Sequence, residues 1–346
     1  MRVVIADPPA FTPQYDHELA RALAAAGADV ELVTSRFRFG EPPLPDGYVR
    51  CEVFYPVSSR LFRRSRLRIP VKVLEHPFGM VRLRVTARDV MHVQWLAAPQ
   101  LDDWLFRPRG PVVFTAHDLL PRRTAKRADL WRRLLRRFDR VVVHSERGRE
   151  TLAGLGVDDE KLRVIPHPAF RSDPERADDG RTLLSLGAIR PYKGLPDAIE
   201  ATRQVEGARL LVAGDPVGAV DRVPGVEWRL GYLSEREIDR ALGETTVALF
   251  PYRAELDQSG ALLRALGAGV PAVVYDVGGL AEPVRAYGAG RVVPAGDVEA
   301  LAAAARELLS DPAALEAARA GARRARDKLT WQASAAAHLG MYRELL

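Results

Sequence analysis

The chain of 346 residues holds one cysteine, Cys51, so it can form no internal disulfide and build no cysteine-based zinc cluster. No apolar run approaches the ~18 residues that a membrane-spanning helix requires. The opening run Val3-Val4-Ile5-Ala6 stops at Asp7, too early for the core of a secretory leader, and a cytoplasmic protein is expected. Repeats and low-complexity tracts are missing too; the alanine-rich stretch after Asp297 reads as ordinary helix. No paired-carboxylate or two-histidine spacing suggests a bound metal. The Gly-x-Gly-x-x-Gly turn of nicotinamide-dependent dehydrogenases does not follow the first strand, where Asp7-Pro8-Pro9-Ala10 stands, and this argues against that class.

What is present is ordinary soluble composition, 47% hydrophobic and 28% charged, at a length that favours two domains. Net charge is +6, but the excess is local. Arg60 to Arg68 carries five arginines and no acid, and Pro121 to Arg137 carries eight basic residues against Asp129 alone. Both runs lie in the first half, which is expected to present a positive surface. Its candidate partners are an anionic membrane surface, a phosphorylated or lipid-linked substrate, or nucleic acid. Nucleic acid as the main partner would demand strongly salt-dependent binding and is the weaker reading.

Short β-branched runs alternate with helical patterns along nearly the whole chain. Strands are expected at Val3–Ala6, Val30–Thr34, Glu52–Tyr55, Val90–Val93, Val112–Thr115 and Val141–Val143. A helix is expected over Tyr15–Ala26, ending at Gly27. Trp131, Leu134, Leu135 and Phe138 form one apolar helical stripe, with Arg132, Arg133, Arg136 and Arg137 off it. The pattern stops at the polar stretch 171–180, which reads as a linker. It then resumes with strands at Leu183–Leu186, Leu210–Ala213, Val247–Phe250, Ala272–Tyr275 and Arg291–Val293. Ser234-Glu235-Arg236-Glu237 is a capping box that opens an intervening helix. The expected class is therefore α/β: two doubly wound parallel-sheet domains, 1–170 and 171–330, facing a cleft.

Ligands of open parallel sheets bind outside the carboxyl ends of the strands. Arg190 and Lys193 stand just before a helix start, a cationic pair suited to a diphosphate. Asp257-Gln258-Ser259-Gly260-Ala261 precedes another helix, where Gly260 permits close approach and the free amides accept an anion. Asp257 is either an acceptor for sugar hydroxyls or a plain helix cap. His117, in Thr115-Ala116-His117-Asp118, either donates to a substrate oxygen or pairs with Asp118.

Together these segments resemble the retaining family-4 glycosyltransferases, which have the two-domain GT-B fold. The resemblance runs in order through Tyr15–Leu23, Thr115–Asp118, Val143–Glu146, Val164–Pro168, Leu186–Gly194, Ser259–Leu263, Gly269–Val274 and Gly278-Gly279. It implies a nucleotide-diphosphate sugar, UDP- or GDP-linked, held by the second domain, with Arg190 and Lys193 on the diphosphate. Asp257 resembles the first acid of the family's Glu-x7-Glu motif, with Glu255 the alternative because the spacing is one residue short. Gly187, Ser259, Gly260 and Ala261 match segments that touch phosphate and sugar, and Tyr232 and Leu233 match those near the base. His117 matches the histidine that reaches the transferred sugar. Pro9 and Tyr15 fall on the acceptor side, and 331–346 resembles the terminal helix that packs back on the first domain.

Two departures stand out. Arg264 occupies the place of the second acid, and an arginine only donates, so it cannot accept from a ribose diol. Glu255 or Glu282 is expected to take that part. The loop after the first strand also lacks the glycine pair common there. The resemblance implies glycosyl transfer with retention and without a metal, the departing phosphate assisting removal of the acceptor proton. A catalytically inactive scaffold or partner subunit is the alternative that Arg264 raises.

Overall fold

A computed structural model describes residues 1–60, 68–119, 127–216, 218, 220–253 and 256–346 of the chain. These divide into two compact units, Met1–Pro166 with Trp331–Leu346, and His167–Thr330.

The first unit runs β1 (Arg2–Asp7), α1 (Pro13–Ala25), β2 (Asp29–Ser35), β3 (Val49–Phe54), α2 (Arg68–Val85), β4 (Val90–Val93), α3 (Pro99–Leu105), β5 (Val112–Thr115), α4 (Ala128–Leu135), β6 (Arg140–Val143), α5 (Glu146–Gly154) and β7 (Leu162–Val164). Its strands form one parallel sheet in the order β3-β2-β1-β4-β5-β6-β7. The chain leaves β1 towards β2 and β3, then crosses back and steps from β4 to β7. Right-handed crossovers in these opposite directions place α1 on one face and α2 to α5 on the other. The central strands read as unbroken apolar runs because both faces are covered; Val3, Val4, Ile5 and Ala6 are fully buried.

The second unit runs β8 (Thr182–Leu186), α6 (Leu195–Arg203), β9 (Arg209–Gly214), β10 (Val226–Leu230), α7 (Glu235–Gly243), β11 (Val247–Phe250), α8 (Gly260–Gly267), β12 (Ala272–Tyr275), α9 (Ala281–Tyr287), β13 (Gly290–Val293), α10 (Val298–Ser310) and α11 (Pro312–Lys328). Its sheet is parallel in the order β10-β9-β8-β11-β12-β13. The capping box forms as the sequence predicts: the Ser234 hydroxyl accepts from the Glu237 amide, and the Glu237 carboxylate accepts from the Ser234 amide. The chain then returns to the first unit as α12 (Trp331–Arg343), which lies against α1. His92 on β4 joins the Tyr342 hydroxyl at 2.6 Å and the Thr115 hydroxyl at 2.7 Å, fixing α12 to the sheet.

Three expectations change. The stretch 171–180 is not a free linker. Asp178 accepts from the Thr246 hydroxyl and pairs with Arg319, and Ala177 donates to the Gly243 carbonyl at 3.0 Å. The chain passes between units at Pro166 instead. The arginines beside the Trp131 stripe form an open cationic face only in part: Arg136 is exposed and makes no ion pair among the described residues. Arg133 and Arg137 both pair with Asp103 of α3, at 2.9 and 2.8 Å, and Arg132 pairs with Asp129. Residues 61–67 and 121–126 of the two basic runs lie outside the described residues.

Candidate active site

The carboxyl ends of β8 and β11 bring four separate segments together. Gly187 follows β8 with φ of 103°, a conformation that glycine alone adopts without strain. A side chain on Gly187 would begin 3.0 Å from Lys193 Nζ and 3.4 Å from the Ala261 methyl. The lysine ammonium therefore hangs over bare backbone, facing the first turn of α8. Lys193 Nζ also lies 5.0 Å over the ring of Tyr252, whose hydroxyl is 3.0 Å from Ser259 Oγ. Ser259 caps α8 by accepting from the Leu262 amide at 3.4 Å. Burial opposes the lysine's charge, but the phenol oxygens of Tyr252 and Tyr192 outweigh it and hold Lys193 above its ordinary value. Arg190, exposed at the cap of the turn Pro191–Lys193, is close enough to work against that rise.

An ion pair between an exposed arginine and a buried carboxylate braces this arrangement. Arg253, following β11, clasps Asp197 in the first turn of α6 with two guanidinium nitrogens, and Tyr275 donates to the same carboxylate at 3.1 Å. The Arg253 amide donates to the Tyr192 carbonyl at 2.7 Å, so the Tyr252 loop is tied to the turn that carries Lys193. Gln258 and Gly279 clamp the next stretch: Gln258 Nε2 donates to the Gly279 carbonyl, and the Gly279 amide donates to the Leu256 carbonyl. Asp257 lies in that stretch and is fully buried.

In the first unit, His117 follows β5 half-buried. Its Nε2 donates to Gln94 Oε1 at 2.8 Å, its ring stacks on Trp95 at 5.3 Å, and Tyr15 meets it edge-on at 4.6 Å. Tyr15 also packs against Trp331 of α12. Pro9 and Tyr15, placed on the acceptor side by the sequence, are both buried here. Phe11 is what reaches the surface from that loop, edge-on to Trp95 at 5.4 Å.

Two family models match the chain along most of its length: Glycosyltransferase Family 4 over residues 14–169 and Glycosyl transferases group 1 over residues 180–311. The chain belongs to the family-4 glycosyltransferases. Its relatives include the D-inositol 3-phosphate glycosyltransferase of Mycobacterium marinum, 25% identical across 96% of this chain and 80% of the relative. Sucrose-phosphate synthase from Thermosynechococcus elongatus has a similar fold, with a TM-score of 0.78 at 19% identity over 100% of this chain and 99% of that one. Anabaena Alr3699/HepE, solved with UDP-glucose, gives 0.72 at 16% identity over 99% and 100%. These likenesses establish the two-domain GT-B fold.

The remaining expected residues of this glycosyltransferase lie as follows. Tyr232 is half-exposed beyond β10, its hydroxyl pushed up by burial and by Glu235, with Arg264 opposing. Leu233 packs on the second unit's core. Glu282 is half-buried in the first turn of α9, and Glu255 lies outside the described residues. Arg264 grips Glu235 with both terminal nitrogens, at 2.5 and 2.9 Å, and covers the ring of Phe170 at 4.5 Å. Sequence reading missed Glu235 as anything more than a capping-box residue, since its partner is distant in sequence. It also missed Tyr252 and the Asp197–Arg253–Tyr275 brace, for which only Tyr252-Arg253 at a strand's carboxyl end gave any signal.

Proposed function

We propose that this enzyme transfers a hexosyl group from a nucleotide-diphosphate sugar, UDP-linked before GDP-linked, to a hydroxyl of an anionic acceptor. Transfer retains the anomeric configuration and needs no metal ion. The observation that carries this reading is the Lys193 ammonium held over Gly187 beside Ser259 and the start of α8. As the bond from the anomeric carbon to the phosphate oxygen breaks, negative charge grows on the diphosphate and the sugar becomes cation-like. Positive groups already fixed at that place stabilise the charge without reorganising. Lys193 supplies one, Arg190 a second, and the first amides of α8 supply the rest. In the front-face route the departing phosphate takes the acceptor proton, so the chain need offer no base. His117 acts on turnover and Asp257 on the donor sugar. The inositol-phosphate and sucrose-phosphate names of the relatives agree with an anionic acceptor.

Glu235 takes the place of the missing ribose carboxylate. Its carboxylate is half-exposed and oriented by Arg264, next to Tyr232, and two donated bonds leave lone pairs for a diol. Glu235→Ala is expected to erase the preference for UDP over 2′-deoxy-UDP; an unchanged preference returns the part to Glu282 or Glu255.

Calorimetry with UDP, with and without a chelator, tests the whole reading. Binding is expected to survive the chelator, and loss of binding rejects the metal-free site. A donor panel with the product's anomeric coupling read by NMR then tests transfer and retention. UDP binding without turnover on any donor leaves an inactive scaffold.

A further inference from the structure

Helix α2 is apolar on two opposite faces, and the first unit covers only one of them. His76, Gly79, Met80 and Leu83 point inward at spacings of i, i+3, i+4 and i+7 and are buried. A side chain on Gly79 would run into the ring of Phe54, so this face lies tight on β3. Leu74, Phe78, Val81 and Val85 recur at i, i+4, i+7 and i+11, half a turn away. They are between 62% and 78% exposed. A helix apolar all round is normally covered all round, so this second stripe calls for an occupant.

The charges beside the stripe say which. Arg82 and Arg84 are exposed on its two flanks, Arg68 begins the helix, and none of the three makes an ion pair among the described residues. The helix has one acid, Glu75, and its carboxylate is occupied in accepting from the Val57 and Ser58 amides at 2.7 and 3.1 Å. The neighbouring helix adds an interfacial side chain. The crossover rule puts α3 on the same face of the sheet, and His76 Nε2 donates to Asp102 Oδ1 at 2.7 Å, holding α2 to α3. Asp102 points inward, so Trp104, two residues on, points outward and is 75% exposed. An unneutralised basic border, a solvent-facing apolar stripe and an outward tryptophan are together the chemistry of a helix lying in the plane of an anionic bilayer surface.

We propose that the outer face of α2, with Trp104, docks this enzyme on an anionic membrane. Leu74, Phe78, Val81 and Val85 enter the acyl boundary, and Arg68, Arg82 and Arg84 meet the headgroup phosphates. This goes beyond the assigned reaction and does not depend on it. It also places the membrane contact on α2, away from the arginines of α4, which Asp103 and Asp129 neutralise.

Sedimentation with phosphatidylcholine vesicles, with and without phosphatidylglycerol, is the test. Wild-type protein is expected to bind the anionic vesicles, more weakly as salt rises, and to bind the neutral ones far less. Leu74→Ser with Phe78→Ser is expected to weaken that binding about tenfold or more, while UDP affinity and thermal stability stay unchanged because both side chains face solvent. Arg82→Glu with Arg84→Glu is expected to abolish the preference for anionic vesicles. The proposal is overturned by absent vesicle binding, by equal binding to both vesicle types, or by binding that the double serine variant leaves intact. A wild-type dimer that the serine variant dissociates, without vesicle binding, overturns it in favour of a second copy of this chain.

Discussion

Burial opposes the charge on Lys193, and the phenol oxygens of Tyr252 and Tyr192 more than offset that opposition. Lys193→Ala is expected to weaken UDP binding at least about tenfold, the scale of a lost charge-assisted contact, as read by calorimetry. His117→Ala is expected to leave that affinity intact and lower turnover; if it unfolds the first unit instead, the histidine is structural. Gly187→Ala should resemble Lys193→Ala, because the added methyl displaces the ammonium and strains a φ of 103°. A different residue-scale effect sits beneath Ala10. Asp7 and Asp16 are fully buried and share a hydrogen bond; burial first, then the Asp7 carboxylate, holds Asp16 well above its ordinary value of 3.8. The folded state keeps a proton that the unfolded chain releases, so this contribution is complete at acid pH and is lost as pH rises through the folded value. Asp16→Asn keeps a donor and removes the ionisation. It is expected to stabilise the protein by about 1 kcal/mol at pH 8 and by less at pH 5, measured by urea unfolding.

Among the elements, α12 is tied to the sheet by a buried polar contact, that of Tyr342 with His92. Tyr342→Phe deletes the bond to His92 in a fully buried place, and a loss of about 1–2 kcal/mol is expected in urea unfolding, with UDP affinity unchanged. Elements buried on both faces were plain in the sequence: Val90–Val93, Val112–Thr115, Val247–Phe250 and Ala272–Tyr275 are strands at those same residues. Two of the four edge strands were not. β10 alternates Val226, Glu227, Trp228, Arg229 and Leu230 at a sheet edge, so it shows no apolar run, and β7 has three residues. Lys193 and Ser259 in the second unit, and His117 in the first, stand just beyond strand ends, where the sequence put them. Glu235, Arg253 and Asp103 were not legible, because each is defined by a partner far along the chain. The polar stretch 171–180 looked like a linker for the same reason: Arg319, which anchors Asp178, is remote in sequence.

At the scale of the whole molecule, each unit has its own buried core. Calorimetric unfolding is expected to show two transitions, with UDP raising only the one that belongs to the unit carrying Lys193. The other transition should be the acid-sensitive one. Burial pushes His144 and His338 down to about 4, and His92 well below its usual value of 6.5. Below pH 6.5 the unfolded chain takes up protons that the folded unit refuses, so stability falls from there towards pH 4. A net loss is expected, larger in that transition than in the other, with the buried Asp7–Asp16 pair offsetting part of it. The first unit's division between Met1–Pro166 and Trp331–Leu346 also sets a timetable. A ribosome adding about 5–20 residues per second needs roughly 10–35 s to go from Pro166 to Arg343. Throughout that interval the nascent first unit has Tyr15 and His92 made but not the helix that covers them. It can collapse early, yet it finishes folding only when the second unit has already emerged.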